Sequence, residues 1–142
     1  MNTSCIFCKI VNGDLPASKV LETPDVIAFM DINPVTRGHV LVIPRAHHDP
    51  ITDVPDDLLA KVIAAAKRIA AAQFRGLKAD GVNITQANGE IAGQIINHVH
   101  FHVIPRYGMD EQPKNWVPGK YASPAEMETF SVRIKEALKQ ND

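Results

Sequence analysis

Residues 97–106, NHVHFHVIPR, alternate apolar side chains with histidine and carry three of the chain's six histidines. Successive side chains of a β-strand point to opposite faces, so this alternation predicts a strand with one apolar face and one imidazole face. The apolar members are Val99, Phe101 and Val103, and the histidines are His98, His100 and His102. A polar face that merely tolerates histidine accounts for one such residue but poorly for three in succession. We therefore expect the strand, ended by Pro105, to carry a functional site.

The composition narrows the class of protein. Of the 142 residues, 45% are hydrophobic and 22% are charged, which is typical of a single globular domain spanning residues 1–142. A formal net charge of −1 gives no electrostatic reason to expect nucleic acid or an anionic membrane as a partner. The sequence has no apolar run long enough to cross a bilayer, and MNTSCIFCKI does not resemble a signal peptide. We expect a cytoplasmic protein whose two cysteines form no stable disulfide.

Four further strands are predicted from short apolar or alternating runs bounded by turn residues. They cover residues 19–23, 26–32, 39–45 and 81–86. The last of them is followed by the loop ANGEIAGQ and then by the histidine strand, so these two strands are expected to form a hairpin.

Two main helices are predicted. The first is capped by Asp53, has Pro55 in its first turn and ends at Gly76, and the second begins near Ser123 and Pro124. Apolar residues at helical spacing predict the buried face of the first helix at Leu58, Leu59, Val62, Ile63, Ala66, Ile69, Ala70 and Phe74. In the second helix they are Met127, Phe130, Ile134, Ala137 and Leu138. The intervening residues 106–121 contain several helix breakers and predict an irregular surface segment, and the whole pattern indicates an α+β domain.

Geometry argues against a metal ion held by all three histidines of the strand. At a rise of about 3.3 Å per residue, the first and third Cα atoms are roughly 13 Å apart. Zinc needs each nitrogen at about 2.0–2.1 Å, so the three side chains converge poorly on one ion. We expect them to divide three roles: metal ligand, nucleophile, and donor to a developing negative charge.

Cys5 and Cys8 form a C-x-x-C pair, a spacing used by redox-active and by metal-binding cysteines. A redox pair of the thioredoxin kind belongs at the end of a strand, whereas only four residues precede Cys5. A tetrahedral zinc site needs two more ligands, and His47, His48 and His98 are the candidates. Two reduced thiols without a metal remain the alternative.

The loop from Gly89 to Gly93 lies directly before the histidine strand. Glycine lets backbone N–H groups turn towards an anion, so this loop beside imidazoles suits a phosphate group. The alternative is an ordinary hairpin loop. No Gly-Lys-Ser/Thr follows, so the loop is not the phosphate-binding loop of kinases and related enzymes.

With these features together, the chain closely resembles the histidine triad (HIT) superfamily, named for the motif H-φ-H-φ-H-φ-φ that stands here at residues 98–104. CIFCKIVNGDLPASKV resembles the family's N-terminal segment, VIAFMDINPVTRGHVLVIPRAHH its nucleotide-binding segment, and NGEIAGQ its phosphate loop. The resemblance covers residues 5–107, whereas residues 108–142 are generic. It implies a HIT-like α+β fold, an antiparallel sheet of about five strands with two main helices, and a homodimer.

The resemblance also implies a mechanism. His100 corresponds to the histidine that attacks the α-phosphate of a nucleotide conjugate, and water then cleaves the nucleotidyl-histidine to release a nucleoside monophosphate. A neutral imidazole is a competent nucleophile near pH 7, since its unperturbed pKa is about 6.5. It must keep a proton on its other nitrogen, usually through a bond to a backbone carbonyl. His102 would donate to the phosphate oxygens, and no organic cofactor is needed.

The implied contacts to a purine nucleotide involve further residues. Asp31 corresponds to the residue that holds the ribose hydroxyls, and His39 to a histidine near the phosphate. The other positions are Ile27, Phe29 and Ile32 around the base and Asn88, Gly93 and Gln94 in the phosphate loop.

Metal-containing bacterial members use positions that correspond here to Cys5, Cys8, His47 and His98. This implies a structural zinc ion whose four protein ligands leave no place for a catalytic water. His48 is then left as a surface imidazole.

Two departures from the family pattern concern the substrate. Ala87 stands where many members have Asn or Gln, with Asn88 one residue later, and Ile95 stands where phosphoramidase-type members often have Ser or Thr. Related transferases have Gln in place of the third histidine, so His102 favours hydrolysis. The leading interpretation is a nucleotide phosphoramidase or dinucleoside-polyphosphate hydrolase. The alternatives are a nucleotide- and zinc-binding regulatory module with little turnover, and a metallohydrolase with a catalytic metal.

Overall fold

A computed structural model describes residues 4–110 and 117–140 of the chain. In this part the helices are α1 (Ile6–Asn12), α2 (Asp56–Gly76) and α3 (Pro124–Lys139). The strands are β1 (Lys19–Glu22), β2 (Val26–Met30), β3 (Val40–Pro44), β4 (Gly81–Thr85) and β5 (Phe101–Arg106). Short 3-10 turns lie at Ile51–Asp53 and Glu90–Ala92.

The strands form one sheet in the order β1-β2-β3-β5-β4, and every neighbouring pair is antiparallel. The predicted α+β class with five antiparallel strands is therefore confirmed. β4 and β5 pair directly, with Thr85 opposite His102 and Gly81 opposite Arg106, as expected of the predicted hairpin. On its other side His102 lies opposite Leu41 of β3, so the third histidine lies on a strand that is paired on both sides.

Both faces of the sheet are covered, which explains why every residue of β2 and β3 is buried. Alternate residues such as Val26, Ala28 and Val42 belong to a core shared with α2 and α3. The intervening residues, such as Ile27 and Phe29, belong to a second, smaller core with α1. The site residues are therefore on the face that α1 covers.

The histidine strand keeps the predicted alternation but has different limits. Val99, Phe101 and Val103 lie in the core with α2 and α3, as expected. Regular pairing begins only at Phe101, because the Val99 N–H bonds the carbonyl of His48, at 2.8 Å, instead of a neighbouring strand. Pro105 does not end the strand: it pairs with Val82, and β5 continues to Arg106.

The first main helix differs from its prediction at both the cap and the buried face. Asp53 lies in a 3-10 turn, and Pro55 is the N-cap without a side-chain hydrogen bond. Ile63 and Phe74 are 45% and 47% exposed, because they lie roughly 100° and 120° around the helix from the fully buried Val62. The face against the sheet is narrower than the predicted stripe.

The second main helix begins as predicted. Ser123 is its N-cap, with the side chain accepting a hydrogen bond from the N–H of Glu126, and Pro124 is in the first turn. Ile134, Ala137 and Leu138 are buried against α2 and the sheet. Of the predicted irregular segment, residues 107–110 and 117–121 contain no helix or strand, and residues 111–116 lie outside the described residues. None of the helices in the described ranges is both long enough and apolar enough for a bilayer crossing.

Candidate functional site

A cluster of four side chains joins the N-terminus to the sheet. The potential ligand atoms of Cys5, Cys8, His47 and His98 all lie within 4.8 Å of one another. Cys5 Sγ is 3.4 Å from His98 Nδ1, and Cys8 Sγ is 3.3 Å from His47 Nδ1. The sequence thus predicted which residues meet here.

The local structure of α1 explains how both sulfurs reach the cluster. Cys5 is the N-cap of this helix, and its Sγ accepts a hydrogen bond from the N–H of Cys8 at 3.3 Å. Gly13 ends the helix in the left-handed conformation, with φ of +83°, which glycine adopts without a steric penalty. The C-x-x-C spacing therefore serves as a helix cap and also brings both thiols to the same end of α1.

The hydrogen bonds of His98 fix which nitrogen faces the sulfurs. Its Nε2 lies 2.9 Å from the carbonyl oxygen of Pro44, which can only accept, so Nε2 carries the proton. The lone pair is then on Nδ1, beside the two thiols, and burial lowers the pKa of His98 to about 4. Two thiolates and two imidazoles, one of them oriented by a backbone carbonyl, fit a closed tetrahedral zinc site. His48 lies outside this cluster and is half-buried.

A second cluster, of Asp31, His39 and His102, is a hydrogen-bond chain. The backbone N–H of Val35 donates to His39 Nδ1 at 3.0 Å, so the proton of the neutral ring is on Nε2. His39 Nε2 is 2.9 Å from His102 Nδ1 and 3.4 Å from Asp31 Oδ2. A protonated Nε2 cannot ligate a metal, so these three residues do not fit a metal ion in the way that the cysteine cluster does.

The same hydrogen-bond chain determines which nitrogen of His102 carries the proton. Since His102 Nδ1 accepts from His39, the proton of His102 is on Nε2, which is then a hydrogen-bond donor. Burial lowers the pKa of His102 to about 4, and it also lowers the pKa of His39. Both rings are therefore neutral near pH 7.

His100 has the tautomer that a nucleophile requires. Its Nδ1 donates to the carbonyl oxygen of His98 at 2.7 Å, which leaves the lone pair on Nε2. Its ring centroid lies 5.0 Å from that of His102, so the ring with the lone pair and the ring with the donor are neighbours. His100 is only 7% exposed, and this burial lowers its pKa. Only a small part of His100 is accessible in this conformation.

The glycine loop is closed by the side chain of Gln94, which is 4% exposed. Its Oε1 accepts from the N–H of Gly89 at 2.7 Å, and its Nε2 donates to Asp49 Oδ1 at 2.6 Å and to the carbonyl of Ile96 at 3.0 Å. Gly89 and Gly93 both have positive φ, of +90° and +101°. These conformations account for both glycines.

The predicted phosphate contacts of this loop need a rearrangement. The N–H of Gly93 bonds the carbonyl of Glu90 at 2.9 Å, and the N–H of Gln94 bonds the carbonyl of Gly89 at 3.1 Å. Contacts between these two amides and a phosphate stay a prediction, and they require the loop to exchange internal hydrogen bonds for bonds to a ligand.

The other predicted contact residues are in different environments. Ile27 has no exposed surface and Phe29 is 3% exposed, so in this conformation both support the site from the core under α1. Ile32 is 68% exposed. The Oδ1 of Asn88 accepts from the N–H of Ile51 at 2.8 Å, which links the loop to the segment before α2. Their contacts with a nucleotide stay predictions.

Sequence reasoning missed two buried residues near the histidines. Phe7 stands between the two cysteines, and its ring contacts the ring of His100. Gln73 is fully buried on α2, and its Nε2 donates to the carbonyls of Gly38 and Val103. Gln73 follows Ile69 by four residues, so a polar side chain on the apolar face of α2 was the available signal.

Comparison with known proteins agrees with the fold and the site. Residues 12–109 match the family model described as HIT domain, and the chain belongs to the HIT family. The sequence is 38% identical over 140 residues to Adenosine 5'-monophosphoramidase hnt1 of Schizosaccharomyces pombe, covering 96% of this chain and 99% of that protein. It is 43% identical over 106 residues to Adenosine 5'-monophosphoramidase HNT1 of Saccharomyces cerevisiae, covering 75% of this chain and 65% of that protein.

A solved structure is similar over nearly the whole chain. The crystal structure of a Zn-bound histidine triad family protein from Mycobacterium smegmatis superposes with a TM-score of 0.87 at 38% identity. The match covers 98% of this chain and 96% of that one. A metal-bound relative thus shares the fold that brings Cys5, Cys8, His47 and His98 together here.

Proposed function

We propose that this protein hydrolyses nucleotide conjugates, nucleoside phosphoramidates or dinucleoside polyphosphates, through a nucleotidyl intermediate on His100. The observation that carries the proposal is the bond from His100 Nδ1 to the carbonyl of His98, because it leaves Nε2 with a lone pair, on a ring that neighbours that of His102, whose Nε2 is a donor. Similarity to two yeast proteins named adenosine 5'-monophosphoramidases supports adenosine phosphoramidate as the first substrate to test.

In the first step, His100 Nε2 attacks the α-phosphorus and the bond from phosphorus to the leaving group breaks. The leaving group departs with the bonding electron pair, and the positive imidazole keeps its Nδ1–H on the carbonyl of His98. His102 donates to the phosphate oxygens as negative charge develops there. Water then attacks phosphorus, which releases the nucleoside monophosphate and returns His100 to its neutral state.

Zinc has a structural role in this proposal. Cys5, Cys8, His47 and His98 would hold it, and four protein ligands leave no coordination position for a water nucleophile. Zinc would stabilise the attachment of α1 to the sheet, whereas His100 and His102 would carry out the reaction.

The test replaces His100 with Ala and measures AMP release from adenosine 5'-phosphoramidate and from a diadenosine polyphosphate. We expect kcat to fall by at least about 10³-fold, because the attacking group is lost. His48→Ala is the matched control, since this imidazole lies outside both clusters. A nucleotidyl adduct mapped to His100 by mass spectrometry would support the assignment, and an unchanged rate in His100→Ala would remove it.

The same assay separates the alternatives. Calorimetric binding of AMP without hydrolysis across a panel of conjugates would favour a nucleotide- and zinc-binding regulatory module. Loss of activity on chelation with the fold intact and the ring of His100 unaltered would favour a metallohydrolase. The homodimer and the cytoplasmic location stay predictions.

A further inference from the structure

Helix α1 lies between the cysteine cluster and the nucleophile. Phe7, which stands between the two cysteines, is 6% exposed. Its ring lies edge-on to two histidines, with centroid distances of 5.9 Å to His98 and 5.2 Å to His100. It also lies edge-on to Phe29, with a centroid distance of 5.4 Å. The residue between two metal-ligand candidates is thus in contact with the proposed nucleophile.

His98 gives a second connection between the same two places. Its Nδ1 is 3.4 Å from Cys5 Sγ, and its backbone carbonyl accepts the Nδ1–H of His100 at 2.7 Å. The ring that faces the sulfurs and the carbonyl that holds His100 therefore belong to one residue, and a displacement of the His98 backbone changes both contacts.

These contacts constrain the ring of His100 in different ways. The hydrogen bond to the His98 carbonyl fixes the distance of Nδ1 but leaves the ring able to tilt about that bond. The ring of Phe7 stands at 86° to that of His100 and resists this tilt. Together the two contacts determine the direction of Nε2.

The position of Phe7 depends in turn on α1. This helix has seven residues, too few to be stable without tertiary anchors. Its N-terminal end is attached through Cys5 and Cys8, so a metal ion bound to both sulfurs and to His98 would hold the helix against the sheet.

We propose that Phe7 is a positioning residue for His100, and that metal binding at Cys5, Cys8, His47 and His98 sets its position. The metal site then controls the direction of the nucleophilic nitrogen without touching the substrate. The inference rests on the proposed function only in naming His100 as the nucleophile.

The first experiment compares Phe7→Leu with two controls in zinc-loaded protein. Leucine keeps the position apolar but removes the aromatic ring. Ile10→Ala shortens another buried side chain of the same small core, and Ile6→Ala alters a 47% exposed side chain on the same helix. The measurements are the ring ¹⁵N–¹H correlations of His100, together with kcat and KM for adenosine 5'-phosphoramidate.

In Phe7→Leu we expect shifted or broadened His100 ring signals and a kcat lower by about 10- to 100-fold, with KM within about twofold, because orientation and not affinity is lost. Both controls should keep the wild-type ring signals and kcat. A Phe7→Leu protein that behaves like Ile10→Ala would overturn the positioning role. Absence of turnover in every protein would refute the proposed function instead, and the ring signals would still decide the role of Phe7.

The second experiment removes zinc from the wild-type protein with a chelator and then restores it. We expect the His100 signals to change as in Phe7→Leu, while the amide signals of β2 and β3 stay in place, and to return with zinc. Unchanged His100 signals in the metal-free protein would overturn the link to the metal. Loss of all sheet signals would overturn it too, because the metal would then support the whole fold and not this contact.

Discussion

The side-chain amide of Gln73 ties α2 to two segments of the site. It is fully buried, and its Nε2 donates to the carbonyl of Gly38 at 3.0 Å and to that of Val103 at 2.9 Å. Its Oε1 has no hydrogen-bond partner among the described groups. Replacing Gln73 with Leu keeps a similar volume, removes both donated bonds and also removes the unpartnered oxygen.

The expected change in the free energy of unfolding has three parts: the two lost hydrogen bonds and the removal of the unpartnered oxygen. Losing its side-chain donor costs the buried carbonyl of Gly38 about 1–3 kcal/mol, whereas the carbonyl of Val103, which belongs to a strand paired on both sides, loses an additional bond of about 0.5–1.5 kcal/mol. Removing the unpartnered Oε1 returns about 1–3 kcal/mol of the same kind of penalty. The free energy of unfolding should therefore fall by about 0.5–1.5 kcal/mol, which corresponds to a Tm lower by roughly 2–5 °C for a domain of this size.

Urea unfolding at pH 7 measures this change, with the midpoint lowered and the m-value unchanged. Gln140→Leu, at an exposed position after α3, is the matched control and should change the unfolding free energy by less than about 0.5 kcal/mol. Because Gly38 precedes His39, Gln73→Leu should also weaken the bond between His39 and His102 and lower kcat. Unchanged or higher stability in Gln73→Leu would refute the reasoning, since the unpartnered oxygen would then outweigh two lost bonds.

Three further predictions concern the site. Gln94→Ala removes the side chain that closes the glycine loop. We expect the affinity for AMP, measured by calorimetry, to fall by about tenfold. Glu90→Ala, on the exposed part of the loop, is the control and should leave the affinity for AMP unchanged. Burial holds the pKa of His102 at about 4, below its unfolded value of about 6.5. This contribution to stability is therefore complete above pH 6.5 and is lost as the pH falls towards 4. Between pH 7 and pH 5 the unfolding free energy should fall by roughly 2 kcal/mol on this account, and His102→Asn should flatten the profile; an unaltered slope would contradict the assignment. Finally, the purified protein should contain equimolar zinc, and a chelator should lower its Tm, whereas an unchanged Tm after proven zinc loss would contradict a structural role.

The alternation of the histidine strand predicted the orientation of its side chains but not their burial. Period two places Val99 and Phe101 towards the main core, as observed. It did not predict that the opposite face is covered, yet His98 and His100 are 0% and 7% exposed because α1 packs on that face. A helix of seven residues shows barely two turns of periodicity, so its sequence alone did not predict it.

Ligand chemistry narrowed the metal cluster to a few residues, and the family resemblance completed the prediction. Cysteine and histidine are the ligands that zinc prefers, which left His47, His48 and His98 as candidates to join Cys5 and Cys8, and the resemblance implied His47 and His98. The hydrogen bonds that select the ring nitrogens could not be predicted. Those bonds end on backbone groups of Pro44, Val35 and His98, whose positions depend on the tertiary fold.

The sequence predicted neither the width of the buried face of α2 nor the way in which the glycine loop closes, and both have the same physical reason. Helical spacing identified Val62 and Ile69 as buried but could not give the width of the contact with the sheet, so Ile63 was wrongly included. Glycine indicated a loop with free conformations, whereas the side chain of Gln94 determines how the loop closes. Contacts between segments that are distant in sequence determine both the width of the buried face and the closure of the loop, and sequence periodicity contains no information about such contacts.

The hydrogen-bond chain that runs through His39 to His102 begins at a main-chain amide, the N–H of Val35. Because the N–H of Val35 belongs to the backbone, exchanging its side chain leaves that donor in place, and only proline removes it. Replacing the side chain at this position therefore leaves the direction of every hydrogen bond in this hydrogen-bond chain unchanged. Val35→Pro would allow the proton of His39 to move to the other nitrogen, so a single substitution could reverse the polarity of two histidines that it does not otherwise alter.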